Sequence, residues 1–139
     1  FPLMRVGDVT TLNLGVDPNI SVEWETIEDT RENPGRFTLS STAHITRVYR
    51  VTLRLSAAAR APVDVVIEES VPLSRDSRVE VKVVSIQPAA LDAEADRQAR
   101  EERGLYRWRL RLAPGETQNV RWGYVLSFDE DLEPVLSEN

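Results

Sequence analysis

The stretch that decides the fold is GLYRWRLRLAPGETQNVRWGYVLSF, residues 104–128. It contains two runs in which apolar and polar side chains alternate, which is the period of a β-strand with one buried and one solvated face. The apolar positions are Tyr106, Trp108, Leu110 and Leu112 in the first run, and Val120, Trp122, Tyr124, Leu126 and Phe128 in the second. Pro114 and Gly115 between the runs favour a type II turn, because proline presets φ at the first central position and glycine accepts a positive φ at the second. The pattern predicts an antiparallel hairpin with an aromatic-rich core face.

Alternation of the same kind continues upstream and indicates the fold class. The other candidate strands are Leu12–Val16, Ile20–Trp24, Phe37–Leu55, Val63–Val71 and Val79–Ile86. DTRENPGR at residues 29–36 has no apolar residue and contains Asn33-Pro34-Gly35, which predicts a loop or hairpin tip. About seven to nine short strands with little helix predict an all-β, antiparallel β-sandwich of immunoglobulin or fibronectin-III type. We expect Ile45–Leu55 and the 104–128 stretch to lie near its centre.

Residues 88–103, PAALDAEADRQAREER, form the one segment with helix-type composition. Their apolar content is too low for a long core face, which predicts a solvated loop with about two helical turns. The alternative is a partner-binding insertion that orders on contact. We predict a single β-sandwich domain over residues 1–128 and an acidic tail over residues 129–139. Because the chain starts at Phe1 and a strand pattern begins by Val9, we expect it to be part of a longer protein.

The composition excludes several classes of function. With 23 acidic and 17 basic residues the formal net charge is −6, so nucleic acid is a poor partner. No apolar run approaches the ~20 residues that cross a bilayer, so we expect a soluble chain without membrane insertion. The absence of cysteine removes disulfides and thiol chemistry, and it leaves the cellular compartment undetermined.

Residues for catalysis or metal binding are few. His44 is the single histidine and shares its strand parity with polar residues, so we expect an exposed sheet residue rather than part of a catalytic triad or a zinc site. Asp92-x-Glu94-x-Asp96 departs from the calcium-loop pattern, which requires a glycine at the sixth position and a glutamate at the twelfth. We therefore predict no catalytic residues, no metal and no cofactor. Hydrolysis of glycans stays open as a third possibility, and it would require two inward carboxylates in a cleft.

Arginines and tryptophans are the remaining candidates for a binding site. An arginine-rich sheet face that grips an anionic saccharide or a similar ligand would consist of Arg107, Arg109, Arg111, Arg50 and Arg54. The simpler interpretation is cross-strand pairing with Asp64, Glu68 or Glu80, each pair worth under about 1 kcal/mol. The three tryptophans, at 24, 108 and 122, share parity with aliphatic neighbours, so we expect core packing rather than a platform for sugar stacking.

Three segments also resemble a known family: ITRVYRVTLRL, PVDVVIEESVPLSRDSRVEVKVV and the 104–128 stretch. They resemble the C-terminal β domain of bacterial mucoidy-inhibitor-A-like proteins, a domain-of-unknown-function family. The resemblance implies a missing upstream domain and coiled coil, and it implies no catalytic residues. We expect a non-catalytic structural or protein-interaction module. Its partners would be the remainder of the parent polypeptide or a second copy that pairs through a strand edge.

Overall fold

A computed structural model describes residues 3–6, 19–33 and 41–130 of the chain. These residues form seven strands and one helix. The elements are β1 (Leu3–Val6), β2 (Ile20–Glu32), β3 (Thr42–Leu55), β4 (Val63–Ser70), β5 (Val79–Gln87), α1 (Glu94–Arg103), β6 (Leu105–Leu112) and β7 (Thr117–Asp129). The candidate strand Leu12–Val16 and residues 34–40 lie outside the described residues.

The strands form two sheets, in the orders β1-β4-β6 and β2-β3-β7-β5. All pairs are antiparallel except β1 with β4, which is parallel. The two sheets share one hydrophobic core, within which the rings of Trp108 and Trp122 lie 6.2 Å apart between their centroids. The predicted all-β antiparallel sandwich is therefore confirmed, and the arrangement is compatible with the immunoglobulin or fibronectin-III type.

The predicted 104–128 hairpin is wrong, because β6 and β7 belong to different sheets. The turn itself is present: Gly115 has a φ of 81°, and the Glu116 N–H donates to the Ala113 carbonyl at 2.9 Å. After the turn the chain binds the end of β3, since Gly115 N–H donates to the Leu55 carbonyl and Leu55 N–H donates to that of Glu116. Both edges of β7 are then occupied by β3 and β5, so the stretch crosses from one sheet to the other.

The predicted loop at residues 29–36 is also partly wrong, because β2 continues through Glu32. Asp29 pairs with Arg47 and Glu32 pairs with His44, so the backbone of β3 holds this segment extended although its side chains are exposed. A bulge lies between Thr26 and Glu28. Non-local pairing outweighs a local sequence that lacks apolar residues.

The core faces of the strands follow the predicted alternation. Val51, Leu53 and Leu55 on β3 are fully buried, and the inward residues of β7 are buried. Val48 is buried although it has the outward parity of β3. Its neighbour across the strands is Gly123, where an added Cβ would lie 2.8 Å from Val48 Cγ2, so the valine occupies the space of a missing side chain.

The charged segment before β6 forms a ten-residue helix, α1, which is longer than the two turns predicted. Asp96 accepts a hydrogen bond from the Ala93 N–H at 3.2 Å, in the first turn. The helix ends at Gly104, which adopts a left-handed conformation with φ 64° and ψ 23°. Ala99 is its one buried residue, consistent with the low apolar content of the segment.

The residues before α1 lie against the outer edge of β6. Leu91 N–H donates to the Arg107 carbonyl at 2.8 Å, and Trp108 Nε1 donates to the Pro88 carbonyl at 2.9 Å. The segment before α1 therefore covers this part of the outer edge of β6.

Candidate functional site

The arginines of β6 lie on the outer face of the three-stranded sheet, opposite β4. Arg107 forms ion pairs with Glu68 and Asp96, each at 3.6 Å, and Arg111 pairs with Asp64 at 3.4 Å. Arg109 is exposed and lies opposite Val66, with no carboxylate across the strand. Cross-strand pairing with Asp64 and Glu68, the simpler interpretation of the sequence, therefore accounts for two of the three arginines.

Arg50 and Arg54 lie on β3, on the outer face of the four-stranded sheet. Both Arg50 Nε and Nη2 donate to Glu25 Oε1, at 3.0 and 2.8 Å. The five arginines therefore divide between the two opposite outer faces of the sandwich. A single arginine stripe does not form, because alternation shows which way a side chain points but not to which sheet its strand belongs. Ligand binding by either group stays a prediction.

The tryptophans pack inside the sandwich, as their parity predicts. Trp24 stacks on Tyr49 with ring centroids 5.0 Å apart, and Tyr49 lies 5.6 Å from Trp122. Burial is the main cause that raises the pKa of Tyr49 well above its ordinary value, and a hydrogen bond with Tyr124 adds to it. This aromatic cluster stabilises the core and offers no open platform for a sugar ring.

His44 has a partner that the sequence did not indicate. Its Nδ1 lies 2.9 Å from Ser127 Oγ, across the β3–β7 pairing. Glu32 and Glu80 occupy the flanking positions of the same row, on β2 and β5. Efficient nucleophilic catalysis by a serine beside a histidine also uses hydrogen-bond donors that stabilise the oxyanion. Here both side chains lie on a sheet face whose backbone N–H groups engage neighbouring strands.

Several carboxylates of the described residues pair with arginines rather than grouping around a metal site. Among the described residues, no group of three or more His, Asp or Glu side chains could hold a metal ion. Asp92 pairs with Arg97 and Arg100 instead. Glu69 is the one charged side chain that is buried within the described ranges, because it shares the inward parity of Val65 and Ile67. The inward carboxylate pair needed for glycan hydrolysis is therefore not present in this part of the chain.

A shallow polar depression lies where β5 ends beside β7. It has a volume of about 370 Å³ and is lined by Gln87, Pro88, Gln118, Asn119 and Arg121. We call it the β7 notch. Alternation along the strands does not indicate this notch, but Pro88 directly after a strand is a signal for where β5 stops. No helix in the described residues is long and apolar enough to cross a membrane.

Comparison with known proteins yields one family. The family described as domain of unknown function (DUF4139) matches residues 4–130, which span both sheets from within β1 to the end of β7. No curated protein and no solved structure shows a significant match.

Proposed function

Because the chain belongs to this family of domains of unknown function, we propose a function from its own geometry: it is a non-catalytic protein-interaction module that binds extended polypeptide along β2. The observation that carries the proposal is the outer edge of β2, a strand of 13 residues that lies at the end of the four-stranded sheet formed by the described residues. No strand in the described ranges pairs with that edge. Strand addition to such an edge is a common mode of peptide recognition.

The direction of the backbone groups follows from the pairing. Ser56 N–H donates to the Asn19 carbonyl, so the even-numbered residues of β3 bond towards β2. By the strand register, the backbone N–H and C=O groups of Glu23 and Glu25 bond to β3. The alternate residues of β2 therefore direct their N–H and C=O groups away from the sheet, and before the bulge these are Val22, Trp24 and Thr26.

The charge of β2 favours a basic partner. The strand carries four glutamates, at 23, 25, 28 and 32, and Arg50 pairs with the second of them. Antiparallel pairing of two copies centred on Trp24 would place Glu23 of one copy beside Glu25 of the other, and like charges directly opposite are destabilising. A basic extended segment would meet complementary charge in the same place.

Self-association through β5, at the other edge of the four-stranded sheet, is another way in which a strand edge could join two copies. Centred on Val81, antiparallel pairing would place Glu80 beside Lys82 of the other copy, which is favourable. However, Val79 N–H already donates to the Asp76 carbonyl, and Ser74 Oγ donates to that of Val79. The free edge of β5 is therefore short, and we propose the β2 edge as the principal contact.

The parent polypeptide supplies the proposed partner. The resemblance to mucoidy-inhibitor-A-like proteins supports a bacterial parent in which this domain is the C-terminal part. We propose that a basic extended segment of that parent binds β2. The domain then holds parts of one protein together rather than performing chemistry.

Binding of an anionic saccharide is a second candidate. It is favoured by Arg109 and Arg54, which are exposed and have no ion-pair partner in the described part of the chain. It is weakened because Arg50, Arg107 and Arg111 are engaged by carboxylates. If Arg109→Ala leaves retention on a heparin column unchanged, this candidate loses its support on the three-stranded sheet.

Charge reversal on β2 tests the principal proposal. The double variant Glu23→Lys with Glu28→Lys should reduce binding of the separately expressed remainder of the parent by roughly tenfold or more, measured by calorimetry. The control Glu101→Lys with Glu102→Lys makes the same charge change on exposed positions of α1 and should bind normally. Equal affinity for both double variants would exclude the β2 edge.

The absence of catalysis has its own test. His44→Ala with Ser127→Ala should leave the hydrolysis of p-nitrophenyl acetate at the level of the unaltered domain. A clear loss of hydrolysis would show that the pair is catalytic and would contradict the non-catalytic assignment.

A further inference from the structure

We propose that the β7 notch binds the carboxy-terminal end of an extended peptide. The peptide would occupy the position beside β7 that β5 leaves empty, with its terminal carboxylate at Arg121. This site is separate from the β2 edge, which lies at the other end of the four-stranded sheet. It deepens the interaction function by adding a second site with its own chemistry.

β7 has an open backbone hydrogen-bonding position in the notch. Leu55 bonds to the turn before β7, so the odd-numbered residues of β3 bond towards β7. Leu53 pairs with Gln118 and Val51 with Val120, so these two residues of β7 bond to β3. The N–H and C=O of Asn119, which lies between them, therefore point to the opposite side, where β5 would continue.

β5 ends before it reaches the position opposite Asn119. Its last paired residue, Gln87, lies opposite Arg121, after a register shift in which Ser85 takes a φ of 60°. Pro88 follows and has no N–H to donate to a sheet. The chain then turns to the edge of β6, where Leu91 bonds to Arg107. The covalent path of the chain thus leaves the position beside Asn119 free for another strand.

One end of the notch carries the positive charge of Arg121. Arg121 lines it, and no carboxylate in the described residues forms an ion pair with this guanidinium. Its cross-strand neighbour Arg50 is held by Glu25, so that carboxylate is already engaged. A carboxylate of a ligand would form a charge-assisted, planar pair with the free guanidinium.

The remaining residues that line the notch suit a peptide group. Gln118 is fixed, because its Nε2 donates to the Arg111 carbonyl at 2.8 Å. Gln87 and Asn119 add amide donors and acceptors. The volume of about 370 Å³ is near the lower limit of ligand pockets, about 300–1,000 Å³, so it suits the last few residues of a chain rather than a long segment. The carboxylate at Arg121 makes the peptide run parallel to β7.

Amide NMR with peptide pools tests the proposal without knowledge of the sequence that is bound. The probes are a degenerate pool of acetylated tetrapeptides with free carboxylates and the same pool with amidated ends. We expect millimolar amounts of the acid pool to shift the amide signals of Gln87, Asn119 and Arg121, and the amidated pool to bind roughly tenfold more weakly. Arg121→Gln should cause the same loss. Arg75→Gln, which removes an exposed arginine from the loop before β5, at the opposite end of that strand from the notch, should bind normally.

Three outcomes would overturn the proposal: no localised shifts with the acid pool, equal binding of both pools, or shifts in the notch with oligogalacturonate alone. The last result would indicate an acidic saccharide as the ligand. The β2 variant Glu23→Lys with Glu28→Lys should keep the peptide response. Failure of the notch and failure of the β2 edge are therefore distinguished by separate variants.

Discussion

Two glycines with positive φ should respond differently to the same substitution. Gly104 and Gly115 have φ values of 64° and 81°, so alanine at either position pays the left-handed strain of about 1–2 kcal/mol. An added Cβ at Gly115 meets nothing nearer than Ala57 Cβ at 3.7 Å, which is ordinary contact. At Gly104 it would lie within hard overlap of the Val71 carbonyl oxygen, a backbone atom that cannot rotate away. Overpacking of this kind costs about 1–3 kcal/mol.

We therefore expect Gly115→Ala to lower the free energy of unfolding by about 1–2 kcal/mol, and Gly104→Ala to lower it by about 2–5 kcal/mol. Urea denaturation followed by tryptophan fluorescence measures both, and an unchanged m-value would show that the difference lies in stability. If the two variants have equal midpoints, the close contact between Gly104 and Val71 adds nothing to the cost of alanine at position 104. Gly104 would then not be required by close packing at the end of α1.

Three further predictions concern the core, the segment before α1 and one surface carboxyl. Trp122→Ala should lower the free energy of unfolding by about 3–5 kcal/mol, because the ring is buried; a loss below about 1 kcal/mol would contradict this burial. Trp108→Phe keeps most of the ring but removes the donor to the Pro88 carbonyl, so it should cost about 1 kcal/mol and speed amide exchange at Leu91; unchanged exchange would contradict the anchoring role. Hydrogen bonds from Arg78 lower the pKa of Asp76 from 3.8 to about 2, so the stability from this pair is present above pH 3.8 and is lost as the pH falls through about 2. NMR titration should show the low midpoint, and Arg78→Ala should return it towards 3.8; a midpoint that does not move would contradict the assigned cause.

The sequence predicted which way side chains point better than which strands meet. Trp108 and Trp122 face the core because a period of two is a local property of an extended backbone. Their strands were predicted as a hairpin because the turn chemistry at Pro114 and Gly115 is that of a hairpin. The choice between a hairpin and a crossing depends on whether β3 and β5 already occupy the edges of β7, which is a non-local fact.

Local sequence patterns predicted the candidate sites with the same limitation, because they do not show which strands meet. Ion pairs such as Arg107 with Glu68 could be expected from opposite charges on the outward positions of two alternating strands. The pairing of His44 with Ser127 joins residues far apart in sequence, and no local pattern indicates it. The β7 notch exists because β5 ends opposite Arg121 whereas β7 begins four residues before it, at Thr117, and strand ends are the features that sequence patterns place least well.

The position of β7 at the centre of its sheet has a consequence for biosynthesis. On the ribosome, β2 and β3 emerge early and can pair, but one edge of β3 stays open and β5 has no neighbour in its sheet until Thr117–Asp129 has been translated, since this strand joins β3 to β5. Contacts that span so much of the sequence form slowly and leave a nascent sheet edge exposed in the meantime. The domain therefore completes its fold only after nearly all of it has left the exit tunnel.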